Sequence, residues 1–347
     1  MRSKFSVLAV TRALAVSAVL ACAAATGVSA QGQPTSVNPT ASSVNEQKLL
    51  DALKPETGTT AAVKGRVSIP DQRSGNLIQP AGKDWREFHQ TTLTRIGIVA
   101  ILGMIGLIGV FYAIRGRVRL SSGFSGRMIE RFGSVERFGH WLAAVSFVAL
   151  GLSGLNLTFG KSLLLPLVGP DTFSAISQLG KYVHNYVSFA FVLGLVLMFV
   201  MWIKDNFPHP RDLVWIAQGG GIVGNAHPPA GRFNFGQKLI FWSVILGGTG
   251  LAVTGYVLMF PFSFTDLGGM QLAGTIHGLI GVVLVAIIIA HIYIGTLGME
   301  GAFSAMGTGH VDLNWAKEHH SVWAEKVVKN NPKAVSGAPG RGPVPAE

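Results

Sequence analysis

Uncharged apolar runs alternate with short charged clusters along most of the chain. Five runs are each long enough to cross a hydrocarbon core about 30 Å thick as a helix that rises about 1.5 Å per residue. The pattern therefore predicts an all-α membrane protein with five transmembrane helices. The last two runs almost abut, so we expect a tight loop between them. The predicted spans are residues 96–114, 139–160, 182–203, 239–264 and 267–299.

The segments before the first span differ from it in composition. Residues 1–30 have the pattern of a cleaved signal peptide, because Arg2 and Lys4 precede an apolar stretch that ends in small residues. An uncleaved membrane anchor and a lipoprotein lipidated at Cys22 are the alternatives. Residues 31–92 are rich in Gln, Ser, Thr, Pro and Gly, a composition that cannot bury enough apolar surface to fold. We predict a periplasmic, largely disordered arm.

Basic residues lie on alternate connections between the spans. Such loops stay in the cytoplasm, and a secreted N-terminus followed by five spans places the same loops there. We therefore predict a multi-pass protein of the bacterial inner membrane with a periplasmic mature N-terminus and a cytoplasmic C-terminus. The basic residues concerned are Arg115, Arg117, Arg119, Arg127, Arg131, Arg137, Lys204, Arg211, Arg232 and Lys238.

The composition agrees with a membrane protein and excludes some functions. Hydrophobic residues make up 49% of the chain and charged residues 13%, whereas soluble domains carry about 25% charged residues. The net charge is +11, but the basic residues flank apolar runs and do not cluster on one polar face, so we expect no nucleic-acid partner. The single cysteine, Cys22, lies in the predicted signal peptide. Ligation of an iron–sulfur cluster by cysteine is therefore not expected.

Four of the ten histidines fall within or at the ends of the apolar runs, namely His140, His184, His277 and His291. Ionisable groups at such positions are costly and usually functional. His277 and His291 share one helix face and lie about 21 Å apart along its axis. That separation is too large for one metal ion and suits two cofactors at different depths.

Partners at matching depth come from two other spans. His184 and His277 both lie towards the periplasmic side, and His140 and His291 towards the cytoplasmic side. Two bis-histidine sites result, and bis-imidazole ligation is typical of b-type haem used for electron transfer. Glycines beside these positions leave room for a porphyrin or, alternatively, for helix packing. They are Gly139, Gly278, Gly281 and Gly295.

The remaining histidines lie in polar stretches or just before the first span, and we expect them to be solvated. Residues 315–328 have helical spacing and are predicted to lie along the membrane surface, followed by a disordered end. The six histidines concerned are His89, His209, His227, His310, His319 and His320.

Six short motifs follow one another along the chain. They are Glu136-Arg137-Phe138-Gly139-His140-Trp141, Val183-His184-Asn185-Tyr186, Phe233-Asn234-Phe235-Gly236-Gln237-Lys238, Ile276-His277-Gly278, Ala290-His291-Ile292-Tyr293 and Trp315-Ala316-Lys317-Glu318-His319-His320. Each motif alone is weak, but the series is fairly specific. In this order it resembles the gamma (cytochrome b) subunit of membrane-bound respiratory formate dehydrogenase.

The resemblance implies a four-helix dihaem cytochrome b domain at residues 116–299, in which the same four histidines ligate two haem b groups. Residues 93–115 then form an extra transmembrane helix that the family pattern does not need, and residues 300–347 form a cytoplasmic tail.

The resemblance also implies a quinone site beside the haem on the cytoplasmic side. The family's quinone contacts carry over to Asn234, with Gly236 and Gln237 adjacent, and to His291 as haem ligand and neighbour. An amide can donate hydrogen bonds to the carbonyl groups of menaquinone or ubiquinone. From the residues alone, the favoured role of Asn234 is a helix N-cap ahead of Gln237, since the spacing is that of a capping box.

The implied partners are a catalytic alpha subunit with molybdenum or tungsten, an iron–sulfur beta subunit and a membrane quinone. Formate would be oxidised by the alpha subunit, and electrons would pass from the beta subunit through this chain to the quinone. The family alone also implies a higher oligomer of the three-subunit unit. The alternatives are the cytochrome b of a hydrogenase or thiosulfate reductase, and a transporter component with intramembrane histidines.

Overall fold

The computed structural model of the chain describes residues 81–221 and 226–330, with the backbone of three strand segments at 63–64, 76–78 and 336–337. The predicted signal peptide, Cys22 and most of the predicted arm lie outside the described residues. The chain divides into two compact units. The smaller unit comprises Met1–Thr92 with Thr254–Thr275, and the larger comprises Leu93–Val253 with Ile276–Glu347.

In the smaller unit, strand β1 (Val63–Lys64) pairs antiparallel with β2 (Asn76–Ile78). Helix α1 (Gly82–Glu87) follows and continues into a π-helical turn at Phe88–Thr92. The indole Nε1 of Trp85 donates to the carbonyl oxygen of Gln271, 3.2 Å away. Helical structure therefore begins within the segment that composition predicts to be largely disordered, where Trp85 has a partner distant in sequence.

Five helical stretches are long and apolar enough to cross a membrane, namely Gly82–Arg115, Ser134–Leu163, Pro170–Asp205, Phe235–Met259 and Leu267–Gly298. Each overlaps one predicted run, so the prediction of an all-α membrane protein is confirmed. The fourth helix ends at Met259, short of the predicted residue 264, because Pro261 disfavours helical backbone just before it. In chain order the helices are α2 (Leu93–Arg115), α3 (Ser134–Leu163), α4 (Leu165–Val168), α5 (Pro170–Trp202), α6 (Pro210–Ala217), α7 (Phe235–Met259) and α8 (Leu267–Tyr293).

Helices α3 and α5 cross antiparallel at very close range. A Cβ atom added at Gly194 would lie 2.7 Å from the backbone nitrogen of Ala143. Gly180 faces Ser153 and Gly139 faces Leu197, so the contacts run in opposite directions along the two helices. Close approach of backbones through small residues is a general means of packing helices in membranes.

Helix α2 runs parallel to α8. Gly97 faces Val282, and Gly278 lies so close to Leu93 that a Cβ atom there would come within 2.6 Å of the Leu93 side chain. Gly278 and Gly139 thus serve helix packing, the alternative to making room for a porphyrin. Nothing described lies within 4 Å of a Cβ atom at Gly295.

The segments outside the membrane helices at one end of the larger unit form a structure that we name the polar cap. It comprises the described residues of 116–133, 203–234 and 299–330 with the strand at 336–337, at the end where α3 and α7 begin and α8 stops. Its elements are β3 (Arg127–Glu130), α9 (Ser304–Gly307), β4 (His310–Asp312), α10 (Leu313–His319), α11 (Ser321–Asn330) and β5 (Ser336–Gly337). Its sheet has the order β4–β3–β5 with antiparallel neighbours.

The polar cap holds the most completely buried apolar side chains. Ile129, Val311 and Ala316 are 0% exposed, whereas the membrane helices expose many large apolar side chains, as expected for surfaces that face lipid. Trp315, near the start of the helix predicted to lie along the membrane surface, is 3% exposed. That prediction is wrong for α10, because the helix packs into the polar cap.

We expect Gly194→Ala to destabilise the bundle, because its new Cβ atom would lie 2.7 Å from the Ala143 backbone nitrogen and force the helices apart. Overpacking of this kind costs about 1–3 kcal/mol, which a lower thermal midpoint of the detergent-solubilised chain would report. Gly103→Ala is the matched control, since nothing described lies within 4 Å of a Cβ atom there. Equal midpoints for the two variants would contradict the close crossing.

Candidate functional site

Two pairs of imidazole rings lie between the membrane helices. The ring centres of His140 on α3 and His291 on α8 are 6.2 Å apart, with 63° between the ring planes. Those of His184 on α5 and His277 on α8 are 6.0 Å apart, again at 63°. The structure brings together the same two pairs that matching helical depth predicts.

The register of the bundle places the two pairs at different depths. His184 lies beside Ser153 of α3, thirteen residues along that helix from His140, a rise of about 20 Å. His277 and His291 are fourteen residues apart on α8, which corresponds to about 21 Å. The spacings on α3 and α8 agree, so each histidine of α8 meets its partner at its own level.

The distance within each pair suits a single metal ion between two imidazoles. A bond from a metal to an imidazole nitrogen is about 2 Å long, so two opposed rings on one metal have centres roughly 6 Å apart. Among the described residues no group of three or more His, Cys, Asp or Glu side chains could hold a metal ion. Each pair offers two imidazole ligands to one metal ion.

A serine fixes the tautomer of one ring. The Ser153 hydroxyl donates to the carbonyl oxygen of Ala149, 2.8 Å away. Because a hydroxyl has one proton, it accepts from Nδ1–H of His184 at 2.9 Å. Nε2 of His184 is then unprotonated and able to ligate a metal. The Nδ1 atom of His140 is buried without a hydrogen-bond partner in the described part of the chain.

Two amides meet at the first turn of α7. The Asn234 side-chain oxygen Oδ1 accepts from the backbone N–H of Gln237 at 2.9 Å, and the Gln237 Oε1 accepts from the backbone N–H of Asn234 at 3.2 Å. This is a capping box, so the N-cap interpretation of Asn234 is correct. Both oxygens are occupied, while no described residue accepts a hydrogen bond from either amide N–H₂ group.

Aromatic rings connect these amides with the first imidazole pair. The rings of His140 and Trp202 are 6.4 Å apart, and those of Trp202 and Phe233 are 5.5 Å apart. Phe233 directly precedes Asn234. Gly236 lies under Trp215, whose ring would be 3.2 Å from a Cβ atom there. The residues predicted to bind quinone thus lie at the end of the bundle occupied by His140 and His291.

Comparison with known proteins gives one consistent family. The profile of the prokaryotic cytochrome b561 family matches residues 131–309, about half of the chain. The chain belongs to the prokaryotic cytochrome b561 family. The match covers α3, α5, α7 and α8 with both imidazole pairs, and it begins after α2. Five apolar helices and this family together indicate an integral protein of the inner membrane.

The individual relatives of this cytochrome are all named as cytochrome b556 subunits of formate dehydrogenase. The nitrate-inducible formate dehydrogenase cytochrome b556(Fdn) subunit of Escherichia coli is 31% identical over 216 residues, 60% of this chain and 96% of the relative. The cytochrome b556(fdo) subunit of formate dehydrogenase from the same organism is 30% identical over 209 residues, 59% of this chain and 96% of the relative. The Haemophilus influenzae subunit is 24% identical over 209 residues, 58% of this chain and 84% of the relative. The predicted resemblance to formate dehydrogenase cytochrome b subunits is confirmed.

The polar cap of this cytochrome buries an arginine. Arg131 is 3% exposed, and the rings of Phe132, Trp315 and Trp323 lie 5.1, 5.4 and 5.1 Å from its guanidinium carbon. Burial, with the nearby positive charge of Arg232, lowers the pKa of Arg131 to about 9, although Glu136 opposes the shift. Its Nε and Nη1 atoms have no hydrogen-bond partner among the described residues.

Two histidines of the polar cap are buried, against expectation. His319 is 9% exposed and His320 0%, so the prediction that they are solvated is wrong. Burial lowers the pKa of His319 to about 4 and holds that of His320 well below its usual value. One feature of the sequence indicates this burial: a tryptophan lies at helical spacing on either side of the two histidines, at Trp315 and Trp323. The prediction is correct for the exposed His209, His227 and His310.

Carboxylates of the C-terminal segment hold the loop that follows α2. Glu318 accepts from the backbone N–H groups of Ser121 and Ser122 at 3.0 and 2.8 Å. Glu300 accepts from that of Leu120 at 2.9 Å. Burial alone would raise the pKa of Glu318, but the Ser122 and Ser121 bonds and His227 bring it below the usual value. Sequence reasoning missed these anchors because their partners lie far away in the chain.

We expect acid to loosen the polar cap. The pKa of His319 is about 4 in the folded chain, compared with 6.5 for a histidine in the unfolded chain. As the pH falls, His319 is therefore protonated in the unfolded chain before it is protonated in the folded one. The contribution of neutral His319 to the free energy of unfolding is complete above about pH 6.5 and is lost as the pH falls towards 4. At pH 5 the loss is about 2 kcal/mol. Thermal unfolding followed by tryptophan fluorescence at pH 7 and pH 5 measures the loss.

His319→Gln should reduce the difference between the two pH values, and His310→Gln, at an exposed position, should leave it unchanged. The same acid loss in the His319→Gln variant and the unaltered chain would refute the assignment.

Proposed function

We propose that this chain is the dihaem electron-transfer subunit of a formate dehydrogenase, which passes electrons from a periplasmic iron–sulfur subunit through two b-type haems to a quinone near the cytoplasmic side. The observation that carries the proposal is the presence of two imidazole pairs, 6.2 and 6.0 Å apart, within a bundle of apolar helices. The family and its named relatives support the same function.

His140 with His291, and His184 with His277, would each hold one b-type haem. A haem held by two imidazoles would supply reversible one-electron transfer. Ser153 holds the imidazole of His184 in the tautomer that ligates. The surrounding apolar helices exclude water, and the separation in depth lets the chain carry electrons across most of the bilayer.

The proposed direction of electron transfer follows from the distribution of basic residues. The basic residues cluster in the polar cap, and the positive-inside rule places such loops in the cytoplasm. The His184 and His277 pair then lies near the periplasm, where an iron–sulfur beta subunit would deliver electrons from a catalytic alpha subunit with molybdenum or tungsten. Formate oxidation itself belongs to that alpha subunit.

Quinone reduction is proposed at Asn234, Gly236, Gln237 and His291. The two amides keep their N–H₂ groups available as donors to the carbonyl oxygens of menaquinone or ubiquinone. Because the amides are half-buried beside the polar cap, protons can come from water on the cytoplasmic side. The capping and quinone-binding roles of Asn234 are compatible, since the first uses its oxygen and the second its nitrogen.

His184→Ala and His140→Ala are each expected to leave one b-type haem per chain where the unaltered chain has two. A reduced-minus-oxidised absorbance spectrum with a pyridine haemochrome count on the purified chain measures this. His310→Ala, at an exposed position, is the control and should retain both haems. A folded chain supplied with haem that shows no Soret absorbance would refute the proposal and favour a transporter component.

Asn234→Asp and Gln237→Glu keep the acceptor oxygens of the capping box and remove the amide donors. We expect at least about a tenfold slower reoxidation of reduced haem by a short-tailed quinone in each variant, as loss of one hydrogen bond implies, with unchanged haem content. Stopped-flow absorbance measures the rate. Gln218→Glu, an exposed amide of the polar cap, is the control. Normal reoxidation in both variants would remove the quinone site from this position.

A further inference from the structure

Arg131 is a buried cation without a counter-ion. No carboxylate of the described chain lies within ion-pair distance of it, and Glu136 is bound by Arg232 at 2.7 Å and by the Trp202 indole at 2.8 Å. Burying an unpaired charge costs free energy, and apolar residues in its place often leave a fold as stable or more so. A role beyond folding therefore needs to be sought for this side chain.

Two hydrogen-bond acceptors, on His320 and Arg232, hold the guanidinium group of Arg131 in one orientation. Nδ1–H of His320 donates to the carbonyl oxygen of Gly231 at 2.8 Å, so Nε2 of the same ring accepts from Nη2 of Arg131 at 3.0 Å. Nη2 also donates to the carbonyl oxygen of Arg232 at 2.7 Å. His320 is fully buried and its pKa is held well below the usual value, which keeps the ring neutral and able to accept.

The same nitrogen reaches the proposed quinone site. Nη2 of Arg131 lies 3.4 Å from Oε1 of Gln237, and the backbone nitrogen of Asn234 lies 3.2 Å from that oxygen. Because Nη2 carries two hydrogens and has three acceptors, one N–H is shared between Gln237 and a nearer acceptor. Both neighbours are donors that cannot accept, so the atom that faces them must be the amide oxygen. The N–H₂ group of Gln237 is thereby turned to the other side. A donor on the oxygen of an amide also strengthens its N–H groups as donors.

We infer that Arg131, fixed by His320, is a positioning residue for quinone reduction: it orients and polarises the Gln237 amide so that its N–H₂ group is presented to a carbonyl oxygen of the quinone headgroup. The inference rests on the proposed quinone site and adds two residues that do not themselves touch the substrate. Because Arg131 acts on the quinone through Gln237 alone, replacing Arg131 should have no further effect on quinone binding once the Gln237 side chain is removed.

The test uses the full haem-loaded chain in membranes, reduced with a stoichiometric amount of dithionite and reoxidised with a short-tailed naphthoquinone over a range of concentrations. KM is then the quinone concentration at half the limiting reoxidation rate, and kcat is that limiting rate. Arg131→Met fills the aromatic surroundings with an apolar side chain of similar length and removes the donor. We expect the KM for the quinone to rise about tenfold, with little change in kcat and with unchanged haem content and spectrum. Arg127→Met changes an exposed arginine on β3, the strand that ends just before Arg131, and is the matched control, which should leave KM unchanged.

A double-mutant cycle separates positioning from a general structural effect. In the Gln237→Ala background, Arg131→Met should raise KM no further. An unchanged KM in the single variant, or equal rises in both backgrounds, would overturn the inference. If Arg131→Met does not retain both haems, His320→Phe takes its place, because it removes the acceptor for Arg131 and keeps a buried ring. The same KM rise and the same cycle are then expected, and their absence is decisive.

Failure of the positioning role of Arg131 can be distinguished from failure of the proposed quinone site. If Asn234→Asp and Gln237→Glu leave reoxidation unchanged, the quinone binds elsewhere, and both the quinone site and the positioning role are refuted. If they slow reoxidation and neither Arg131→Met nor His320→Phe changes KM, the quinone site stands and only the positioning role is lost.

Discussion

The close antiparallel crossing of α3 and α5 determines the relative depth of the two histidines that these helices contribute. Gly194 rests against the Ala143 backbone with no room for a side chain, and this contact fixes the register of the two helices. His184 is consequently level with Ser153 and about 20 Å from the level of His140. The histidines of α8 have nearly the same separation, so each of them can meet a partner from α3 or α5 at its own depth.

The sequence was most informative inside the predicted membrane spans. There the bilayer thickness restricts each segment to a helix, and the helical period then determines which face and which depth His277 and His291 occupy. The pairing with His184 and His140 needed only the order of the spans. Ser153 could not be found in this way, because nothing in one sequence marks a hydroxyl that contacts a ring 31 positions away.

Outside the spans, sequence reasoning gave less. Strand β3 pairs with β4 about 180 residues later, with Met128 opposite Asp312, and such short strands have no period long enough to recognise. Polar neighbours surround His319 and His320 in the chain, which favours exposed side chains. Their burial comes from local packing against Trp315 and Trp323 and from the contact of His320 with Arg131. Arg131 is 189 residues away from His320, so that part of the environment could not be predicted from local composition.

The carboxylate anchors have a consequence for the order in which the chain is made. The backbone N–H groups of Leu120, Ser121 and Ser122 donate to the carboxylates of Glu300 and Glu318, which are 180 to 197 residues further along. A ribosome has therefore synthesised all five spans, including both histidines of α8, before this loop can be fastened. The polar cap can close only over a bundle that already has its full set of imidazoles.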